Sequence, residues 1–303
     1  MTDQPTRTLA DGVEIPYLGF GTYLIPDDEA ADAVAAAIAA GYRHIDTAEV
    51  YANERGVGEG LRRGLAAAGL SRDDVFVTTK LWPQGPGGFK SARETLDAFD
   101  VSLDKLGLDH VDLYLIHAPY EPGQRLDQWR ALVELHENKR ARTIGVSNFN
   151  AAHIEELAAA GLPLPHANQI ELHPWSQKPG IVSSLAAKNI TPIAYSSLAP
   201  LSTWRTAPGH GSSKTDAQRA EGRREDSPFK TMAAKYGVTE AQLLLRWGVQ
   251  KGYPVLPKST KPARMRENAD LFSFRIDDTD MATLDTMDRG DGLAWDSDPT
   301  HAG

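Results

Sequence analysis

Cysteine is absent from this 303-residue chain, and so is any run of the roughly 18 continuous apolar residues that a membrane-spanning helix needs. The first absence excludes disulfides, thiolate nucleophiles and cysteine-ligated metals. The second excludes a transmembrane helix. Basic residues are also in the minority, 32 against 41 acidic ones for a net charge of −9, and they form no stripe. Nucleic acid and anionic membrane surfaces are therefore poor partners. The opening MTDQPTRTLADG lacks the apolar core of a secretory leader, so a cytoplasmic protein is the expectation. What is present is ordinary globular composition, 41% hydrophobic and 24% charged, with length enough for a sizeable core.

The apolar residues alternate between two periods. Asp11-Gly12 between two short runs predicts a hairpin. After it come LGFGT, YRHIDT, VFVTTKL, VDLYLIH, RTIGVSNF, HANQIEL, TPIAYSSL and YPVLPKS, eight strand-like runs separated almost throughout by segments of helical spacing. Ser91 with Glu94, and Thr239 with Gln242, read as capping boxes ahead of two of the helices. Strand–helix alternation implies a parallel sheet with right-handed crossovers. Eight such units predict a (β/α)8 barrel, residues 1–303 forming one domain, with an N-terminal hairpin and long loops at the C-terminal face. The polar stretch at about 199–228 breaks the rhythm and reads as a lid. The tail from Asp288 is irregular, and its Trp295 reads as exposed.

Several familiar motifs fail. GFGTYL lacks the third glycine of a dinucleotide fingerprint, and GVGEG at 56–60 falls in a helical pattern, where glycine permits close packing. There is no Walker loop, no His-Glu-x-x-His and no nucleophile elbow, and no metal is expected. One set remains. Asp46, Lys80 and His117 close three early strands, and Tyr51 follows Asp46 in the next turn. In a barrel those ends converge on the face where the chemistry lies. Singly, each has a structural reading as a cap, a core ring or a snorkelling amine. Together they form an acid–base set. A phenol titrates near ~10, a neighbouring ammonium lowers that value, and a buried carboxylate keeps the ammonium charged. The phenol can then protonate a carbonyl oxygen that an imidazole holds, and the electrons must come from a cofactor.

From about residue 8 to the tail the chain strongly resembles the aldo-keto reductases, and within them bacterial enzymes of the diketogluconate reductase kind. The resemblance is carried by GFGTY, HIDTAEVYANERGVGEGL, TTKLW, VDLYLIH, IGVSNF, NQIELHPW, AYSSLAPL and LPKST followed by Arg264, Glu267 and Asn268. It implies NADPH as cofactor and small aldehydes or ketones as substrates. Tyr51 would be the acid, tuned by Lys80 and Asp46, with His117 orienting the substrate. It implies that Gly21, Thr22 and Tyr23 border the cofactor. Ser147, Asn148 and Gln169 would hold the nicotinamide carboxamide, with Tyr195 stacking on the ring. Ser196 and Leu198 fall at the pyrophosphate, and Lys258, Ser259, Thr260, Arg264, Glu267 and Asn268 at the adenosine end. Lys258 and Arg264 beside hydroxyls and a helix start also suit a 2′-phosphate on physical grounds. Tyr23, Trp82 and Ala118 would border the substrate; Ala118 stands where the family often has tryptophan, which predicts a wider pocket. A monomer is expected. Two rival readings are a cofactor-binding regulatory subunit of the same fold and a barrel glycosidase. The second needs two carboxylates at strand ends, for which only Asp46 and Glu171 qualify.

Overall fold

The computed structural model describes residues 4–201, 221, 224, 226–290, 292–295 and 297–302. Strands β1 (Thr6–Thr8) and β2 (Glu14–Pro16) pair antiparallel across the Asp11-Gly12 turn, where Gly12 adopts φ +85°. That left-handed conformation disfavours any residue with a Cβ, so the expected hairpin is there for the expected reason. The barrel staves are β3 (Phe20–Gly21), β4 (His44–Asp46), β5 (Phe76–Leu81), β8 (Val111–Ile116), β9 (Ala141–Ser147), β10 (Ala167–Glu171) and β11 (Thr191–Tyr195). A small hairpin of β6 (Gln84–Gly85) and β7 (Gly88–Phe89), which periodicity did not reveal, follows β5.

The seven staves pair in parallel in the spatial order β11-β10-β9-β8-β5-β4-β3. YPVLPKS is the eighth, reduced to a bridge: Val255 pairs in parallel with both Leu18 and Ala194. Backbone bonds from Gly19 N–H to the Val255 carbonyl (2.9 Å) and from Leu256 N–H to the Ala194 carbonyl (3.2 Å) flank it. Closure leaves neither edge of the sheet unpaired, which is how a barrel avoids an open edge.

Helices α1 (Asp27–Ala39), α2 (Glu54–Ala68), α3 (Ala92–Leu106), α4 (Pro122–Glu137), α5 (Ala151–Ala159) and α6 (Pro179–Ala187) follow the staves in alternation. Later come α7 (Pro228–Tyr236), α8 (Glu240–Gln250), α9 (Pro262–Ala269) and α10 (Asp278–Asp285). Both predicted capping boxes are formed, Ser91–Glu94 on α3 and Thr239–Gln242 on α8. Of the segment read as a lid, most lies outside the described residues. Among the described residues no helix is long and apolar enough to cross a membrane.

Apolar side chains form two bodies. The larger lies between the staves and the helices. The smaller fills the bottom of the barrel, where Leu9 and Ile15 of the hairpin meet Phe76, Leu113, Leu115, Ala167, Ile193 and Leu256. The hairpin is thus a plug at the N-terminal face, and the opposite mouth is left for the loops.

The glycines of α2 act as the helical reading expected. A methyl at Gly56 would lie 2.1 Å from the Asp27 carbonyl oxygen, and one at Gly58 only 2.2 Å from that of Leu106. Both obstacles are backbone, so neither can swing aside. Gly58→Ala should therefore cost about 1–3 kcal/mol by overpacking, read as a lower midpoint in urea denaturation. Gly123→Ala, where no atom lies within 4 Å, should leave that midpoint unchanged or raise it.

Candidate active site

Side chains on a strand alternate between two faces, and β5 shows what that does here. Thr79 points outward and donates to the Glu54 carboxylate of α2 (2.6 Å). Thr78 and Lys80 point into the barrel, Thr78 bonding His44 Nε2 at 2.9 Å. Lys80 is completely buried. Its Nζ donates to Asp46 Oδ1 (2.6 Å) and to the Thr47 carbonyl (2.8 Å), and it lies 3.4 Å from the Tyr51 hydroxyl. Tyr51 ends a 3-10 turn, Glu49–Tyr51, that begins just after β4. The His117 ring packs edge-on against both Tyr51 and Trp82, with centroids 5.6 and 5.5 Å apart. The four polar residues read from strand ends therefore share one corner at the barrel mouth.

Burial sets the protonation of that corner. It pushes the Tyr51 phenol well above its ordinary range, with Asp46 and Tyr23 adding to the effect. The expectation that this value is lowered is corrected: burial, the leading cause, raises it. The Tyr51 phenol therefore stays protonated, with the Lys80 amine beside its oxygen. Burial, and then Lys80, hold His117 well below the usual histidine range, so its imidazole is neutral and can donate an N–H. Burial also lowers Lys80 and raises Asp46, each opposed by the other's charge.

A cavity of about 380 Å³ opens beside this corner. Its walls include Asp46, Tyr51, Trp82, Gln169, Tyr195, Ser196, Leu198, Pro257 and Lys258. Gly21 and Tyr23 also line it, and Tyr23 and Val50, both substantially exposed, stand at its rim. Thr22 is buried beneath, donating to the Asp46 carbonyl (3.0 Å). Ser147 and Asn148 are buried and serve the wall: Ser147 Oγ donates to the Gln169 carbonyl (2.8 Å), and Asn148 accepts from the Tyr195 hydroxyl (2.7 Å). Ser259, Thr260, Arg264, Glu267 and Asn268 lie beyond the cavity, in and before the first two turns of α9. Ser259 Oγ accepts from Lys261 N–H, Glu267 accepts from Thr239, and Arg264 is exposed. An amide, a flat ring, small residues and a lysine along one cavity wall suit the parts of a nicotinamide dinucleotide.

Ala118 is completely buried and is not among the residues that line the cavity. Trp295, read as exposed, lines the cavity instead, donating from Nε1 to the Tyr195 hydroxyl (2.8 Å). Glu171 holds it there. That buried carboxylate accepts from the backbone N–H of Leu293 (2.6 Å) and Ala294 (3.0 Å) and from His173 Nε2 (2.9 Å). With Glu171 committed to the tail and Asp46 to Lys80 and Gln169, neither of the two carboxylates that glycoside hydrolysis would need from these strand ends is free.

A second tie escaped sequence reading, because nothing in the spacing joins its ends. Glu49, two residues before Tyr51, accepts from Trp82 N–H (2.9 Å) and pairs with Lys90 (2.8 Å). Lys90 also donates to the carbonyls of Trp82 (2.6 Å) and Gln84 (3.0 Å). The turn bearing Tyr51 and the loop bearing Trp82 are thereby fastened together.

Comparison with known proteins agrees with this arrangement. The sequence profile described as Aldo/keto reductase family matches residues 17–289. The chain is 39% identical over 299 residues to the methylglyoxal reductase DkgA of Yersinia pestis, covering 98% of this chain and 97% of that one. It is 38% identical over 287 residues to the morphine 6-dehydrogenase of Pseudomonas putida, covering 94% and 92%. Among solved structures, the aldo-keto reductase of Bombyx mori in complex with NADP superposes with a TM-score of 0.86 at 33% identity, over 100% of this chain and 98% of that one. The chain belongs to the aldo/keto reductase family. It is an NADP(H)-dependent oxidoreductase that reduces aldehyde or ketone carbonyls to alcohols.

Lys90→Met should lower kcat/KM for carbonyl reduction by roughly tenfold, since Glu49 would lose a charged partner worth about 1.5–3 kcal/mol. Lys90→Arg should restore part of it. Steady-state kinetics, with circular dichroism to establish the fold, checks this, and unchanged kinetics in Lys90→Met would show that the tie does not serve the site.

Proposed function

We propose that Tyr51 is the general acid of carbonyl reduction, that Lys80 and Asp46 support it, and that His117 holds the substrate oxygen. The observation that carries this reading is the Lys80 ammonium, fully buried, 3.4 Å from the Tyr51 hydroxyl and 2.6 Å from Asp46. NADPH, when bound, supplies the hydride that reaches the carbonyl carbon. Tyr51 delivers its proton to the carbonyl oxygen, and the negative charge left on the phenolate faces Lys80. Asp46 keeps that lysine charged inside the barrel, where an unpaired ammonium would be costly. The neutral His117 donates its ring N–H to the same oxygen, which favours the charge that develops there. Trp82, Tyr23 and Trp295 are the apolar walls that exclude water around the carbonyl.

For the cofactor, Gln169 with Ser147 and Asn148 would hold the carboxamide and Tyr195 the ring face. Ser196 and Leu198 would border the pyrophosphate, and Lys258, Ser259, Thr260, Arg264, Glu267 and Asn268 the adenosine end. A monomeric, cytoplasmic enzyme fits the net charge of −9, which favours solubility. Relatives named for methylglyoxal and morphine make small dicarbonyls and bulky cyclic ketones the first substrates to screen.

Tyr51→Phe should reduce kcat by at least about a hundredfold, the usual contribution of a general acid, while the Kd for NADPH measured by fluorescence titration stays within about twofold. Retained turnover would show that another group supplies the proton.

Arg264→Ala tests the adenosine end separately. Loss of one charged hydrogen bond to a 2′-phosphate should weaken NADPH by about 10- to 150-fold and leave NADH nearly unaffected. Equal losses for the two cofactors in the same titration would remove the phosphate role from Arg264.

A further inference from the structure

The N-terminal face of the barrel, opposite the chemistry, carries a cluster that the reaction does not use. Asp11 stands in the turn of the β1–β2 hairpin, His136 in the last turn of α4, and His166 directly before β10. One ligand atom from each lies within 4.8 Å of the other two. From this convergence we infer a binding site for a divalent transition ion of the zinc class, held by one carboxylate and two imidazoles.

Three features support the assignment. Asp11 Oδ2 lies 3.1 Å from His166 Nδ1, close to the ~3.3 Å that separates two ligands each about 2.0 Å from a tetrahedral zinc ion. The His136 ring is 5.3 Å from the His166 ring, centroid to centroid, and its Nδ1 faces the Ala141 carbonyl at 3.3 Å. A proton on that nitrogen leaves the lone pair on Nε2, which is how a neighbouring carbonyl fixes the tautomer of a metal-binding histidine. Lastly, the Asp11 and His166 side chains are 13% and 17% exposed, so a water molecule can complete the coordination.

Two contacts compete with an ion for the single lone pair of His166 Nδ1, so the Thr143 hydroxyl must turn its proton away when the ion binds. Thr143 Oγ1 lies 2.8 Å from His166 Nδ1, and the Ile144 N–H lies 3.5 Å from it. Asp11 Oδ1 accepts from Val13 N–H (3.1 Å), which leaves Oδ2 for the ion. His166 is the only ion-pair partner of Asp11 among the described residues, and at neutral pH an ordinary imidazole is mostly uncharged. A cation would compensate the carboxylate. Two nitrogens and one oxygen suit zinc, cobalt, nickel or copper rather than magnesium or calcium. The ion would fasten the hairpin plug to the start of β10 and the end of α4, so its effect falls on stability and not on turnover.

The test uses full-length protein, free of any histidine tag and stripped with a chelator. Calorimetric titration with zinc chloride should give one site per chain. At a hundredfold excess over Kd, the melting temperature should rise by roughly 5 °C or more. Cobalt(II) should bind the same site and show a visible absorption band. Asp11→Asn and His136→Gln should each weaken zinc by at least tenfold while leaving carbonyl reductase activity intact. Absence of stoichiometric zinc binding in the wild type would overturn the proposal, as would undiminished binding in both variants.

Discussion

A primary ammonium sits inside this barrel with no access to solvent, and the active site is organised around that fact. Burial works against a charge on Lys80, and Asp46 and the Thr47 carbonyl, which face it, oppose that effect. Asp46 is in turn fixed by Gln169, whose backbone carbonyl accepts from Ser147. Ser147 accepts from Asn148, Asn148 from Tyr195, and Tyr195 from Trp295. A continuous line of hydrogen bonds thus runs from the Lys80–Asp46 corner across β10, β9 and β11 to the C-terminal tail. Such networks stiffen when every member is satisfied. The corner at Asp46 and the cavity wall at Gln169 and Tyr195 are positioned by the same chain of bonds.

Around this frame the loops are held by a different device. The Glu49–Lys90 pair joins the Tyr51 turn to the Trp82 loop, and buried Glu171 gathers the tail. A further tie links Lys178 to Asp298, which also accepts from the backbone and hydroxyl of Thr300. Each tie uses a charge to fix backbone that no ladder of strand or helix bonds reaches. The barrel carries the chemistry, and charged ties shape the recognition surface.

This division explains how much could be read from the sequence. Asp46, Lys80 and His117 were legible because strand ends follow from a two-residue period and the (β/α)8 arrangement sends those ends to one face. The glycines of α2 and the two capping boxes were legible because their cause is local. The direction of the Tyr51 shift was not, because it depends on burial, which a list of neighbours does not contain. The burial of Ala118 was illegible for a related reason: adjacency to His117 in sequence does not say which way a side chain points at the end of a strand. The contacts of Trp295 and Lys90 were not legible because they join segments far apart in the chain.

Closure of the barrel has a consequence for how the protein is made. The eighth stave is little more than Val255, bonded on one side to the segment at Leu18 and on the other to Ala194. The first and last staves are thus neighbours, although most of the chain is synthesised between them. During translation the early strands must wait beside an open edge until residue 255 has emerged, and contacts of such long sequence separation form slowly. Tyr42 on the α1–β4 connection, whose hydroxyl donates to the Met265 carbonyl, waits equally long for its partner. The nascent chain therefore passes through a period with an unpaired strand edge exposed, the condition under which sheet proteins aggregate. Slow elongation or chaperone protection late in synthesis should matter more to the yield of this enzyme than the strength of any single contact in its finished core.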